Sequence, residues 1–200
     1  KLNPKVDDIP EKYCKMHNGV GLLTLGTVDT GGSGCVCPEH VLLKRLCSHL
    51  ILQSKDVVVM DMEAGIEHLG RGTAQGVDAF IVVVEPGERS LQTYRKVKKL
   101  GKDIGVQRVF VVGNKMRDDD DIEFIKSNLE DGEALGFIHY NQTVIDSDRA
   151  NQSPYDVSEE TRNEIRTIKN RLLEIEKENK TKIQRKAKHQ SHYILFLLME

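Results

Sequence analysis

The sequence predicts a three-layer α/β fold built around a mostly parallel sheet. From about residue 20 to residue 145, short apolar runs alternate with stretches of helical character. The central runs are continuous and β-branched rather than alternating, which is typical of strands buried on both faces. Strands that are separated by helices in this order form parallel sheets through right-handed crossover connections.

The individual elements follow from the positions of these runs and of their flanking residues. Pro38 suits the first turn of a helix, because the amide donor that it lacks would have no partner there. We predict strands at 20–28, 56–62, 79–85, 108–113 and 135–140, and helices at 38–53, 66–75, 88–104 and 122–129. We also expect that one or two further strands of the fold precede this chain.

The chain changes character near residue 156, so we predict a main domain at 1–156 and a C-terminal helix and tail at 157–200. Four apolar residues at spacings of three and four form one stripe of an amphipathic helix: Ile165, Ile168, Leu172 and Ile175. This stripe favours a helix that packs on the sheet, since a coiled-coil seam needs about three heptads. Residues 177–188 form a charged run. The apolar run at 193–199 is far shorter than the ~20 residues that span a bilayer, and no function is assigned to it.

Composition and charge argue against two classes of partner. The 200 residues include 30% charged and 38% hydrophobic residues, and the formal net charge is −2. This near balance predicts neither a nucleic-acid surface nor a membrane as the main partner. Four cysteines without a secretory apolar segment indicate reduced thiols in the cytoplasm rather than a disulfide scaffold. The start at Lys1, in a polar stretch, leads us to expect a longer parent protein.

The strand at 56–62 carries the first candidate for chemistry. It contains Asp61 at its end and is followed by a small residue and Gly65. This pattern matches a Walker-B strand that enters a switch loop, where the carboxylate holds the hydration shell of Mg²⁺ and the glycine lets a backbone amide approach a phosphate. The pattern fits a plain buried strand with an Asp that caps the next helix equally well.

The second candidate is the polar end of the strand at 108–113. An Asn at position 114 can pair with the N6/N7 edge of adenine, while the stem of Lys115 covers the base. A guanine-reading motif needs an acidic acceptor where this chain has Arg117, so adenine is favoured over guanine. Pro86 and Gly87, after the neighbouring strand, form a weaker signal for backbone contact with the base. A simple turn at the strand end is the alternative.

The third candidate is the pair Cys35 and Cys37, on a glycine-rich loop before a predicted helix. Helix-start amides lower the pKa of thiols, and thiolates bind soft divalent metals. One Cys-x-Cys pair supplies two ligands, so a four-coordinate site requires the same pair from a second chain of a symmetric homodimer. A redox dithiol and unrelated surface cysteines are the alternatives. Cys47, in an apolar stretch, is expected in the core.

A phosphate-binding loop is absent from these 200 residues. The pattern Gly-x-x-x-x-Gly-Lys-[Ser/Thr] does not occur, and the glycines at 31–34 have no lysine after them. The fold is therefore expected to be of the P-loop NTPase type without its phosphate loop. Hydrolysis of ATP by the chain alone is not expected.

Several segments resemble one family, the nickel-insertion accessory ATPases of carbon monoxide dehydrogenase (the CooC type), in the MinD/ParA/nitrogenase-iron-protein class. The matching segments are Asn3–Tyr13, Gly26–Val28, Gly31–Pro38, Asp61–Ala74, Val77–Ala79, Glu85–Gly87, Arg89–Ser90, Asn114–Lys115 and Ser153–Asp156. The switch segment and the Cys-x-Cys segment are specific to this family.

The resemblance implies an ATP-dependent homodimer that carries Ni²⁺ (or Zn²⁺) and delivers nickel to carbon monoxide dehydrogenase, its client. It implies that Cys35 and Cys37 hold the metal, that Asp61 serves Mg²⁺ and that Asn114 contacts adenine. Two other functions compete with it. A ParA/MinD-like positioning ATPase would leave the Cys-x-Cys loop unexplained and has only the charged run at 177–188 as a targeting face. A non-enzymatic metal-binding fragment fits the missing phosphate loop.

Overall fold

The computed structural model describes residues 14–24, 57–63, 77–184 and 193–199. The strands are β1 (Lys15–His17), β2 (Val20–Leu22), β3 (Val57–Glu63), β4 (Ala79–Val84), β5 (Val109–Met116), β6 (Ala134–His139) and β7 (Tyr193–Met199). The helices are α1 (Glu88–Asp103), α2 (Asp119–Lys126), α3 (Gln142–Arg149), α4 (Pro154–Val157) and α5 (Glu159–Gln184).

The main sheet has five parallel strands in the order β3-β7-β4-β5-β6. Its two faces carry separate cores. On one face, side chains of β4 and β5 pack with residues of α1 and α2, among them Tyr94, Val97 and Ile125. On the other face, Ala79 of β4 packs in a cluster with Leu172 of α5. Helices therefore cover both faces, and the prediction of a three-layer, mostly parallel α/β fold is confirmed.

Burial of the strands agrees with the sequence for β4 and β5 but not for β3. In β4, Phe80 and Val82 point to one core while Ile81 points to the other, which explains the continuous apolar run. In β3, alternate residues such as Val58 pack on the core, whereas Val57 and Val59 are 53% and 60% exposed. The prediction that every central strand is buried on both faces is wrong for β3.

The described part of the predicted strand at 20–28 belongs to a different sheet. Within residues 20–24, Val20–Leu22 forms a strand, and it pairs antiparallel with β1 rather than joining the parallel sheet. Asn18 and Gly19 connect the two strands with φ angles of 47° and 81°, as a tight hairpin requires. Residues 25–28 and the predicted helices at 38–53 and 66–75 lie outside the described residues.

Two boundaries differ because polar residues extend the elements. Helix α2 begins at Asp119 rather than at residue 122, since the Asp118 side chain accepts a hydrogen bond from the Asp121 amide and caps the helix. Strand β5 continues past Gly113 to Met116. The other predicted elements within the described part of the chain, at 56–62, 79–85, 88–104 and 135–140, are confirmed within a residue or two.

The C-terminal helix packs on the sheet, as its apolar stripe predicts. Leu172 is buried, and Ile168 and Ile175 pack against the same cluster. Gly136 of β6 permits this contact, because a Cβ atom there would lie 2.6 Å from Ile168 Cγ1. Ile165, at the start of the stripe, is 47% exposed and adds little. The docked helix is confirmed.

The apolar run at 193–199 forms strand β7 inside the sheet, between β3 and β4 and parallel to both. Parallel strands in the interior of a sheet are typically unbroken apolar runs in the sequence. Within the described residues, none of the helices combines the length and apolar character that crossing a membrane would require.

Candidate functional site

The polar residues singled out after β4 and near the end of β5 lie along one edge of the sheet. In a parallel sheet the carboxyl ends of all strands share an edge, and ligands of open α/β folds bind there. Val84 pairs with Gly113, so Glu85, directly after β4, and Asn114, within β5, lie at the same level. The turn after β4, with Pro86 and Gly87, therefore lies beside the polar end of β5.

Asn114 and Lys115 form an irregularity in β5. Gly113 pairs with Phe137 and Met116 pairs with His139, so two residues of β5 stand opposite one of β6. Lys115 has a φ of 60°, a left-handed conformation that is uncommon for residues with a side chain. Bulges of this kind redirect side chains and are frequent beside functional sites. The prediction that the strand ends before Asn114 is wrong. Asn114 and Lys115 lie within β5, at the bulge.

An ion pair joins the ends of β4 and β5. Lys115 Nζ lies 2.5 Å from Glu85 Oε1, and the two side chains are 58% and 42% exposed. The Glu85 amide donates to Ser90 Oγ at 3.3 Å, which ties the same turn to the first turn of α1. Because the pair is exposed to solvent, it adds little to the stability of the fold.

The turn before α1 leaves open space for a ligand. Gly87 is the N-cap of α1 in an extended conformation, with φ −169° and ψ 149°, and it contributes no side-chain cap. A Cβ atom at Gly87 would meet nothing within 4 Å. Backbone groups at Pro86 and Gly87 can therefore be approached closely from the carboxyl edge of the sheet.

Arg117 occupies the carboxylate of Asp121. Its guanidinium forms a two-pronged contact with Asp121, with Nε–Oδ2 and Nη2–Oδ1 distances of 3.0 Å each, and its amide also donates to Asp121 Oδ2. Hydrogen bonds from the side chain and then the backbone of Arg117 hold the pKa of Asp121 below its usual value. Asp118 is occupied as the cap of α2. These carboxylates are engaged within the protein.

Asp61 is exposed and lies in β3, which continues to Glu63. Through the register it is level with Leu197 of β7 and with Ile81 of β4. Asn114 thus lies about 14 Å away across three strand spacings and about 13 Å further along the strands. Residues that far apart can serve the two ends of one elongated ligand.

The remaining predicted residues cannot be placed. Gly65, Cys35 and Cys37 lie outside the described residues. Among the residues whose positions are described, no group of three or more His, Cys, Asp or Glu side chains could hold a metal ion. The structure adds the pairing of the Glu85 side chain with Lys115 and the contact of Asp121 with Arg117, which the sequence analysis did not predict. Opposite charges near the ends of two strands, at Glu85 and Lys115, were the available signal in the sequence. Their pairing depends on β4 and β5 being neighbours in the sheet.

Comparison with known proteins shows the family of the chain. The chain is 43% identical over 173 residues to the carbon monoxide dehydrogenase accessory protein CooC of Rhodospirillum rubrum, which covers 86% of this chain and 66% of that protein. It is 42% identical over 178 residues to an ATP-binding protein of Methanocaldococcus jannaschii, covering 88% of this chain and 68% of that protein. The chain belongs to the CooC family.

A second ATP-binding protein of Methanocaldococcus jannaschii is 32% identical over 140 residues, which is 70% of this chain and 55% of that protein. No protein-family model matches the chain. The chain spans about two thirds of the length of the first two relatives. The resemblance to the CooC family that the sequence predicts is confirmed.

Proposed function

We propose that this chain acts in the maturation of carbon monoxide dehydrogenase and binds an adenine nucleotide at the carboxyl edge of its sheet. The observation that carries the proposal is the 43% identity with CooC over 86% of the chain. The relatives named as ATP-binding proteins support the nucleotide. The chain spans only part of these proteins, so a role like that of the full-length relatives is proposed for it.

The chemistry at the edge fits a nucleotide with Mg²⁺. The side-chain amide of Asn114 offers the donor and the acceptor that pair with N7 and N6 of adenine. The open backbone at Pro86 and Gly87 admits a planar base without a side-chain clash. The exposed carboxylate of Asp61 is an oxygen ligand of the kind that Mg²⁺ or its waters accept. Bound Mg²⁺ would neutralise phosphate charge near Asp61.

ATP should be preferred over GTP. Guanine presents two hydrogen-bond donors, which need acceptors. Arg117 has only donors, and the carboxylate of Asp121 is already paired with Arg117. An unpaired buried polar group costs about 1–3 kcal/mol, which corresponds to a preference of about tenfold or more. Competition by ATP and GTP against a fluorescent adenine nucleotide measures it. Asn114→Ala should weaken the binding of ATP and reduce the preference for ATP over GTP, while Asn163→Ala, at an exposed position on α5, should change neither. Equal dissociation constants in the unchanged chain would refute Asn114 as the base-reading residue.

The chain alone should bind ATP weakly and hydrolyse it negligibly. Backbone amides and a lysine of the phosphate loop supply most of the affinity in such sites, and the loop motif does not occur in these 200 residues. A colorimetric phosphate assay tests this against the matched variant Asp61→Ala. Turnover well above background that is lost in Asp61→Ala would contradict the expectation.

Nickel is proposed as the cargo of Cys35 and Cys37. Two thiolates from each of two chains would complete a four-sulfur site, with one divalent ion per two chains and a homodimer stabilised by the metal. Thiolates must lose their protons, so affinity should rise with pH through the thiol range. Light scattering and metal analysis on the same samples measure both quantities. Cys35→Ser should remove metal and metal-linked dimerisation, and Cys47→Ser should remove neither. One metal per monomer would assign the site to other residues.

The maturation role is tested with the client. Nickel-free carbon monoxide dehydrogenase is co-expressed with the chain, with Cys37→Ser, or with no accessory protein, under limiting nickel. The proposal expects higher dehydrogenase activity with the unchanged chain than with the variant. Equal activity in all three arms, with the protein levels matched, would contradict it.

A further inference from the structure

A carboxylate stands beside the base-reading residue proposed above. Val84 of β4 pairs with Gly113 of β5, so Glu85 is level with Asn114 on the neighbouring strand. Neighbouring strands lie about 4.8 Å apart, which places the Glu85 side chain within reach of a base that Asn114 holds. This side chain is 42% exposed. Whether a base meets a free acceptor at this edge of the sheet therefore depends on what Glu85 is bound to.

Lys115 occupies this carboxylate. Its Nζ atom lies 2.5 Å from Glu85 Oε1. The backbone is constrained on both sides of the pair, because the Glu85 amide donates to Ser90 Oγ at 3.3 Å and Lys115 has a left-handed φ of 60° at the bulge. In a regular strand Asn114 and Lys115 would point to opposite faces, and the left-handed conformation interrupts this alternation. The pair adds little stability, but it keeps an ammonium group on the carboxylate beside Asn114.

Adenine and guanine respond differently to a free carboxylate. Guanine carries adjacent N–H donors at N1 and N2, and a carboxylate has the two acceptor oxygens that they need. Adenine has an acceptor at N1, whose lone pair a carboxylate repels. A free Glu85 beside Asn114 would therefore favour guanine, whereas a Glu85 that is paired with Lys115 would not.

We propose that Lys115 is a specificity-determining residue of the nucleotide site, which disfavours GTP by keeping Glu85 paired. The inference rests on the proposed nucleotide function. A protein can discriminate against a competing ligand by withholding the groups that this ligand needs. Arg117 withholds Asp121 in the same way, with both of its contacts to the carboxylate at 3.0 Å. Of the two pairs, Lys115–Glu85 is the one at the level of Asn114.

The ion pair itself can be tested without any nucleotide. A carbodiimide joins a carboxylate to a lysine amine that touches it through an amide bond without a spacer, and mass spectrometry of peptides locates the bond. Glu85 should become linked to Lys115. Lys98 is the positive control, since its Nζ lies 2.7 Å from Glu130 Oε1 and 2.6 Å from Glu133 Oε1. Links at Lys98 without a link between Glu85 and Lys115 would overturn the proposal.

The selection of the base is tested with Lys115→Met, which removes the ammonium group but keeps an unbranched side chain at the same position. Competition against a fluorescent adenine nucleotide gives the dissociation constants of GTP and ATP. Their ratio should fall about tenfold, because the freed Glu85 accepts hydrogen bonds from guanine. Both nucleotides carry the same triphosphate, so a change of charge near the phosphates cancels in this ratio. Adding Glu85→Gln to Lys115→Met should restore the preference for ATP, and Lys98→Met, which breaks an ion pair elsewhere, should leave the ratio unchanged.

The outcomes separate this inference from the function on which it rests. If Asn114→Ala leaves ATP binding unchanged, the nucleotide site is wrong and Lys115 has no base to select. If Asn114→Ala weakens ATP binding but Lys115→Met keeps the ratio, the nucleotide site stands and the role of Lys115 is refuted. If the ratio falls equally in Lys115→Met with and without Glu85→Gln, the pairing with Glu85 does not cause the selection, and the proposal is overturned.

Discussion

The contact between Gly136 and Ile168 gives a sharp test of how the C-terminal helix packs on the sheet. In Gly136→Ala the new Cβ would lie 2.6 Å from Ile168 Cγ1, 3.5 Å from its Cδ1 and 3.8 Å from its Cβ. Favourable carbon–carbon contacts lie at about 3.5–4.0 Å, so Cγ1 is the atom that clashes. Overpacking costs about 1–3 kcal/mol, and replacing a strand glycine returns about 0.5–1 kcal/mol. The net loss of stability should be about 1–2 kcal/mol.

The double variant isolates this clash. Ile168→Ala removes Cγ1 and Cδ1, and because Ile168 is only partly buried it should cost about 1–2 kcal/mol, below the range for a fully buried side chain. In that background only the Cβ of residue 168, at 3.8 Å, remains near the methyl group introduced at position 136, which is an ordinary contact. Gly136→Ala should then be neutral or stabilising. The coupling free energy between the two changes should be about 1–2 kcal/mol.

Urea unfolding of the unchanged chain, the two single variants and the double variant measures the cycle. The corresponding shift in Tm for Gly136→Ala is about 2–8 °C for a chain of this size. Independent sites add within about 0.3–0.5 kcal/mol. Additivity within that margin would show that Ile168 does not cover Gly136, and the docking of α5 on β6 would have to be abandoned.

Two further predictions concern stability. Leu172→Ala should cost about 2–3 kcal/mol in urea unfolding because Leu172 is buried between α5 and the sheet, whereas Leu173→Ala, at a 41% exposed neighbour, should cost under about 1 kcal/mol; equal losses would contradict the orientation of α5. Arg117→Ala should lower stability above about pH 5, because the pKa of Asp121 is depressed by Arg117, and stability from a depressed carboxyl is lost as pH falls through its folded pKa. The difference between the variant and the unchanged chain should shrink as the pH falls below the ordinary pKa of an Asp, about 3.9, and a difference that grows with acid would have the wrong sign.

The sequence predicts the middle of the sheet well because local signals agree there. Strand β4 and the first residues of β5 are continuous β-branched runs, and α1 begins after Gly87 and ends near Gly105, where φ is 92°. Pattern, turn residues and burial all point to the same elements. The docking of α5 was predictable for the same reason, since its stripe is periodic.

The sequence fails where non-local contacts decide. The bulge at Lys115 depends on how β6 pairs with β5, which no window of residues contains. The start of α2 is set by a capping bond from Asp118 in an acidic run that has no apolar periodicity. Val59 of β3 is exposed, but it lies in the same kind of continuous β-branched run as the buried residues of β4, so the sequence does not distinguish the two.

The site was predictable by residue type but not by arrangement. The positions after two neighbouring parallel strands had to share an edge, which brings Pro86 and Asn114 together. The pairing of Glu85 with Lys115 and the closed contact between Arg117 and Asp121 required coordinates. The insertion of β7 could not be foreseen, because a short apolar run at 193–199 carries no signal for its partner strands.

The location of bound ATP tests the central claim most directly. Amide chemical shifts of the isotope-labelled chain are followed by NMR as ATP is added to millimolar concentration, so that weak binding is still seen. The account predicts that the largest changes cluster at residues 85–87 and 114–117, on the carboxyl edge of the sheet. Changes centred instead on the opposite edge, in the groove of about 280 Å³ that Lys98, Lys102 and Arg108 line, or no changes at all, would contradict it.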